Sequence, residues 1–516
     1  MTKIAAYATI KNTMSLAEKV GQLFMPAAFI NDTEEEIQAL ERLLQDYAIG
    51  GLCFFHSRAS AATNFEGKKK IVYNEHSFDT LTRLIQRYQK AAKYPLLISI
   101  DAEWGLAMRV ENTPQYPYAI TLGAIQENTA LIYEVGKNIA HDCKQAGIHW
   151  NLAPVVDINN NPLNPVIGYR SFGEDKHQVV HKAAAFIEGA TSEGILSCIK
   201  HFPGHGDTAT DSHLGLPVID KSEAELWDNE LYPFQKLINK GVDAVMVGHL
   251  VVPALSKGKS VSATLSEDII QGVLRKTLNF KGVVISDALN MHSVSKLYEQ
   301  KGLLEWIAFQ AGNDILCFAE NPVEGIAHIV QKATADEIEA RFSRVWALKE
   351  KSIPISTTAS KTTLRNPKKL NTSLAQESIS LFKGKESDIK TFLQAPYEAI
   401  NLGKAHREAE ELISLQSQVK KHDQILVRLT PPQVKPLDNF GLSDEQIRFV
   451  QELLDTKKVL LYLLGNPYVL QLFDSSTAMG IVIGYQDFET FKIQADAHLK
   501  GIFSAKGRVP VTLKSK

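Results

Sequence analysis

Cysteine is scarce in this chain, four residues in 516, and that scarcity excludes a disulfide-built scaffold. Cys53, Cys198 and Cys317 each sit inside a short apolar run, where a thiol behaves as a small hydrophobe. No spacing resembles a zinc knuckle. Long apolar stretches are missing as well. The longest, such as residues 459–464, fall far below the roughly 20 residues that cross a bilayer, so no membrane span is expected. The first 25 residues carry no convincing signal peptide, because Lys11 interrupts their weak apolar patch. The expected compartment is the cytoplasm, or an exported or periplasmic one if a leader was removed. A dominant charge of either sign is also absent. Lys+Arg 56 against Asp+Glu 58 leaves a formal charge of -2, so no whole-chain field favours nucleic acid or an acidic membrane. The one basic run, Lys68, Lys69 and Lys70, is short and reads as a solvated loop.

What the chain does have is an ordinary globular composition, 44% hydrophobic and 22% charged, and enough length to bury a large core without covalent staples. Over the first 350 residues or so, short apolar runs alternate with amphipathic helical patterns. The candidate strands are residues 20–25, 51–55, 95–100, 148–152, 195–199, 244–247, 282–285 and 315–318. Eight strands alternating with helices predict a (β/α)8 TIM-type barrel, with a doubly wound sheet as the other fold built from βαβ units. Residues 353–373 are rich in Ser, Thr, Lys and Pro without a sustained period, and read as a linker between a barrel over 1–352 and a smaller α/β domain over 374–516. In that second region residues 378–382, 398–402, 424–429, 459–464 and 480–484 read as strands, with helices over 406–415 and 444–454. It holds no dense polar cluster and is expected to support the barrel.

In a (β/α)8 barrel, chemistry gathers where strands end and their following loops begin. Polar residues stand at those positions here: Asp101 and Glu103 after the third strand, Asn151 and then Asp157 and Arg170 after the fourth. Lys200 and His201 follow the fifth, His249 the sixth and Asp287 the seventh. The densest stretch is Lys200-His-Phe-Pro-Gly-His-Gly-Asp-Thr-Ala-Thr-Asp-Ser-His213. Four readings compete for it. Gly204-His-Gly206-Asp-Thr-Ala209 fits a dinucleotide fingerprint, which requires a helix opening at the glycines, and the following residues make a poor helix. His201, His205, Asp207, Asp211 and His213 are all possible metal ligands. A purely structural loop is the third reading. The fourth is a general acid/base. Asp211 and His213 are two residues apart, so in an extended loop both project to one side. A carboxylate on one imidazole nitrogen leaves the other to move a proton. That chemistry needs a nucleophile across the barrel mouth, and Asp287 is placed for it. Gly258-Lys259-Ser260 resembles the end of a phosphate-binding loop, but Pro253 stands where its first glycine belongs.

The loop from Lys200 to Thr208 followed by Asp211-Ser-His213 resembles the signature of glycoside hydrolase family 3, in its β-N-acetylhexosaminidase branch. Three segments agree in order and spacing: Asp101-Ala-Glu-Trp-Gly-Leu-Ala-Met-Arg109, Asn164-Pro-Val-Ile-Gly-Tyr-Arg-Ser-Phe-Gly173 and Gly282-Val-Val-Ile-Ser-Asp-Ala-Leu-Asn-Met291. The resemblance is strong over residues 14–350 and weaker in the C-terminal region. It implies that Asp287 is the nucleophile, His213 the acid/base and Asp211 its partner. It also implies that Asp101, Arg109, Arg170, Lys200, His201 and, in the same mouth, His249 hold the terminal sugar. The implied activity is retaining removal of terminal N-acetylglucosamine from muropeptides or chito-oligosaccharides, in peptidoglycan recycling, with no cofactor and no metal. The rivals are phosphorolysis, β-glucosidase action, catalysis assisted by the substrate's acetamido group, and non-catalytic binding of wall sugar. Two departures stand out. The family's usual Glu-Gly-Gly-Arg reads Glu103-Trp-Gly-Leu106 here, which bears on the aglycone, and Asn290 replaces a more common acid or Ser. Oligomeric state is not indicated.

Overall fold

The structure is a computed structural model that describes residues 4–61, 72–208, 216–353, 363–403 and 409–513. Asp211, His213 and the Lys68 to Lys70 run lie outside the described residues, as do 354–362 of the expected linker and the start of the helix expected over 406–415.

Eight parallel strands make the first sheet. They are β1 (Phe24–Met25 continuing past Pro26 as Ala27–Phe29), β2 (Gly51–Phe55), β3 (Leu97–Ile100), β4 (Trp150–Asn151), β5 (Leu196–Phe202), β6 (Ala244–Val247), β7 (Val283–Ser286) and β8 (Leu316–Cys317). Each pairs with the next in sequence from β1 to β7. The ring then closes. Ile285 bridges Ile315 between β7 and β8, and β8 pairs with β1 through Phe24–Leu316 and Met25–Cys317. Parallel strands covered on both faces are buried along their length, and β5 is buried at all seven positions, Ser197, Lys200 and His201 included.

The first strand differs from the expectation. Residues 20–25 read as one apolar run, but Ser15 and Glu18 form a capping box that starts a helix over Leu16–Gly21. Val20 therefore enters the core from a helix, and β1 begins at Phe24 and extends to Phe29. Beneath β8, the Asp314 carboxylate is bound by Arg275 and by Arg344 at 2.7 Å, an ion-pair brace for the barrel's closing strands. At the same end the buried Lys349 ammonium donates to Gln22 Oε1 at 2.6 Å and to the Pro95 carbonyl at 2.8 Å. It ties the closing helix (Ala335–Ser352) to the starts of β1 and β3.

The second sheet has five strands, β9 (Ser380–Lys383), β10 (Glu398–Gly403), β11 (Gln424–Thr430), β12 (Lys458–Leu463) and β13 (Gly480–Ile483). Their spatial order is β9-β13-β12-β11-β10, with only the β9–β13 pair antiparallel. Ile379, Phe392, Leu426, Leu460 and Val482 pack together as its core. The fold is thus a barrel followed by an α/β sandwich.

The compact units do not follow a single cut through 353–373. One comprises Met1–Gln115, Tyr133–Asp157 and Ala183–Arg365, and the other Tyr116–Ile132, Ile158–Lys182 and Asn366–Lys516. Two stretches from within the barrel's sequence pack with C-terminal residues. Gln486 donates to Thr121 Oγ1 at 2.7 Å, Asn159 to Tyr468 Oη at 2.8 Å and the Thr512 amide to Glu174 Oε2 at 2.7 Å. A helix over Lys368–Ser378 also begins inside the stretch read as linker.

Candidate active site

The C-terminal ends of β2, β3, β5, β6 and β7 bring most of the expected residues together. Directly after β3, Asp101 receives two cations. Lys200, the fifth residue of β5, donates to Oδ1 at 2.8 Å, and Arg109 donates to Oδ2 at 2.9 Å. Lys200 also reaches Glu103 Oε1 at 2.8 Å, with its own side chain only 2% exposed. Arg109 comes back over the last residue of β2, its guanidinium 3.6 Å from the centre of the Phe55 ring. Burial pushes the Asp101 carboxyl up, but Lys200 and Arg109 together outweigh it and hold the group well below the usual carboxylate range. An ionised carboxylate framed by an ammonium and a guanidinium is suited to adjacent hydroxyls, each of which can donate to one group and accept from another.

His201 and His205 hang from one buried carboxylate. Asp157 Oδ2 accepts from His201 Nδ1 at 2.8 Å, while Oδ1 accepts the His201 amide at 3.1 Å and the His205 amide at 2.7 Å. His205 Nδ1 lies 2.9 Å from Thr208 Oγ1. Burial, followed by the neighbouring His201, pulls the His205 imidazole down to about 4, so it is neutral at pH 7. The Lys200–His201 and Phe202–Pro203 peptides are both cis.

Asp287 follows β7. Its amide donates to the Val247 carbonyl of β6 at 2.9 Å, and its Oδ1 accepts the Ala288 amide at 2.8 Å. Burial raises its carboxyl, but His249, His201, the Ala288 amide and Lys200 pull it below its ordinary value. The group is therefore ionised at neutral pH and half-buried, as an attacking carboxylate must be. His249 is fully buried. Its Nε2 donates to the Ala288 carbonyl at 3.0 Å, and Nδ1 meets Thr264 Oγ1 at 2.9 Å. This ring braces the turn that presents Asp287.

Of the other expected residues, Arg170 belongs to the second compact unit, with Ile158–Lys182, and Asp211 and His213 lie outside the described residues. Phe55 and Thr264 were not singled out for the site, and Glu103 and Asp157 were named after their strands without a role. Glu103 and Asp157 carried a signal, since both follow strands that end in polar residues. Phe55 and Thr264 carried none, because stacking under Arg109 and bracing His249 depend on contacts made across the barrel.

The arrangement defines a class, a (β/α)8 barrel whose mouth pairs a half-buried ionised carboxylate with a cluster of buried charged groups. Comparison with known proteins narrows it. The Glycosyl hydrolase family 3 N terminal domain matches residues 15–348, and the chain belongs to that family. It is 34% identical over 293 residues to "Beta-hexosaminidase A" of Pseudoalteromonas piscicida, covering 54% of this chain and 46% of that protein. The chain thus spans about half the length of that relative. It is 34% identical over 310 residues to "Beta-hexosaminidase" of a serogroup C strain of Neisseria meningitidis, covering 58% of this chain and 79% of the relative. In fold it is similar to a glycoside hydrolase family 3 β-N-acetylglucosaminidase from Paenibacillus sp. str. FPU-7. There the TM-score is 0.78 at 24% identity, over 98% of this chain and 100% of the other.

Proposed function

We propose that the protein is a retaining exo-β-N-acetylglucosaminidase, releasing terminal N-acetylglucosamine from muropeptides or chito-oligosaccharides in cytoplasmic peptidoglycan recycling. The single observation that carries this reading is Asp287. It is an ionised carboxylate at the end of β7, within electrostatic reach of His249, His201 and Lys200. Relatives named as β-hexosaminidases support the choice of sugar, as does the Asp211-Ser-His213 element.

In this mechanism a carboxylate oxygen of Asp287 attacks the anomeric carbon. His213 gives its proton to the glycosidic oxygen, and the aglycone leaves with the bonding pair. His213, oriented by Asp211, then takes a proton from water, which attacks the same carbon and frees Asp287. Asp101, Lys200, Arg109 and His201 hold the sugar hydroxyls. Asp101 stays ionised throughout, so it accepts hydrogen bonds and protonates nothing.

The test is release of a chromogenic phenol from its N-acetyl-β-glucosaminide and its β-glucoside, side by side. Cleavage of the first alone supports the reading, and cleavage of the glucoside alone overturns the choice of sugar. One sequence feature favours a second reading, phosphorolysis. His213, where other glycosidases use a carboxylate, does not repel an incoming phosphate. Turnover that rises with phosphate and yields sugar 1-phosphate would establish it.

A further inference from the structure

The carboxylate of Asp157 is buried, with its side chain 0% exposed, and it takes no direct part in the mechanism above. Its two oxygens divide their work. Oδ1 accepts two backbone amides, of His201 and His205, and Oδ2 accepts the ring Nδ1–H of His201. Strand pairing continues the same tie, because the Val156 amide donates to the Lys200 carbonyl at 2.8 Å. The consequence for His201 is a fixed tautomer. A carboxylate can only accept, so Nδ1 must carry hydrogen, and in the neutral ring the lone pair is then on Nε2. No hydrogen bond joins that nitrogen to a described residue, and the His201 side chain keeps 7% of its surface exposed. It is the atom left to meet a sugar hydroxyl. The consequence for His205 is an anchored backbone, six residues before Asp211 and eight before His213.

We propose that Asp157 is a positioning residue that sets two things with one carboxylate: the tautomer with which His201 receives the sugar, and the root of the segment that carries the acid/base. The proposal rests on the reading of Asp287 and His213 given above, and it adds a residue that touches neither the substrate nor the reacting atoms.

The geometry supplies its own test. In Asp157→Asn the amide has one acceptor and one donor end. Turning the NH2 toward the two backbone amides would set donors against donors twice, so the carbonyl stays on His201 N and His205 N. The NH2 then faces His201 Nδ1, and the ring must move its hydrogen to Nε2. The anchored backbone is kept and the tautomer is reversed. Asp157→Ala removes both.

The tautomer is read without turnover, from ring 15N shifts of histidine-labelled protein, with His201 assigned by its loss in His201→Gln. In Asp157→Asn the hydrogen is expected to move from Nδ1 to Nε2. Its KM for an aryl N-acetyl-β-glucosaminide should rise about tenfold or more, with kcat for an activated leaving group nearly kept. In Asp157→Ala the rate should fall more steeply as the leaving group worsens, the mark of a misplaced acid. Loss of stability alone would lower all substrates equally.

An unmoved hydrogen in Asp157→Asn would overturn the proposal. So would an unchanged KM together with a loss in Asp157→Ala that is uniform across aglycones. If the unsubstituted enzyme releases no phenol from the N-acetylglucosaminide while the hydrogen still moves, the substrate reading fails and the tautomer control by Asp157 stands.

Discussion

Replacing Lys349 by Met should change how the barrel's stability responds to pH, and the structure gives the sign and the size. The ammonium is 0% exposed and donates to two neutral oxygens, Gln22 Oε1 and the Pro95 carbonyl. Burial pulls it down to about 7, against about 10.4 in an unfolded chain. Between those values the unfolded state holds a proton that the folded state has released, so stability rises with pH across that window. At about 1.4 kcal/mol per unit, the gain between pH 7 and pH 9.5 is on the order of 3 kcal/mol. For a barrel of this size that corresponds to several degrees in melting midpoint. The assay is thermal unfolding followed by circular dichroism at pH 6.5, 8 and 9.5, for the wild type and Lys349→Met. The other titrating groups are common to both, so the difference isolates Lys349. The wild type should gain on the variant as pH rises. Parallel curves would refute the reasoning, by showing that Lys349 is neutral, or solvated, throughout.

Three further outcomes follow from the site. Asp287 is held ionised below the ordinary carboxylate value with His249 as its nearest cause after burial, so the acidic limb of kcat/KM should lie below the usual carboxylate range. His249→Gln should move that limb to higher pH, which a pH–rate profile reads directly. Lys200→Met leaves the Asp101 and Glu103 carboxylates without their shared cation. It should destabilise by about 3–5 kcal/mol in denaturant titration, as well as abolish sugar binding. Arg109→Lys keeps the charge but loses the planar stack on Phe55. Its KM should rise roughly tenfold with kcat little changed, and Phe55→Leu should reproduce part of that effect in the same assay.

Local chemistry made much of this molecule legible in advance. Strands β2 to β8 announced themselves because parallel strands covered on both faces must be apolar, and the polar residue that ends each run marks the barrel mouth. Asp101, Lys200, His201 and Asp287 were readable for that reason. Strand β1 was misplaced because Val20 and Phe24 belong to one apolar run but to two elements, and the deciding residues, Ser15 and Glu18, act through a cap outside the run. The bracing contacts of His249 were not legible because its partners, Thr264 and Ala288, are 15 and 39 residues away. Asp157 stood out after the fourth strand, but the donors from His201 and His205 lie 44 and 48 residues downstream and meet it only through folding. Nothing local marks Tyr116–Ile132 or Ile158–Lys182 as parts of the C-terminal unit either, since Thr121 meets Gln486 only through folding.

The most direct test of the account is to trap the glycosyl-enzyme. A slow fluorinated N-acetylglucosaminide should add one sugar to the protein, and peptide mapping should place it on the Asp287 carboxylate. The Asp287→Asn variant should take up no label and lose activity by three orders of magnitude or more. A label on another residue, or full turnover by Asp287→Asn, would contradict the assignment of the nucleophile on which the mechanism stands.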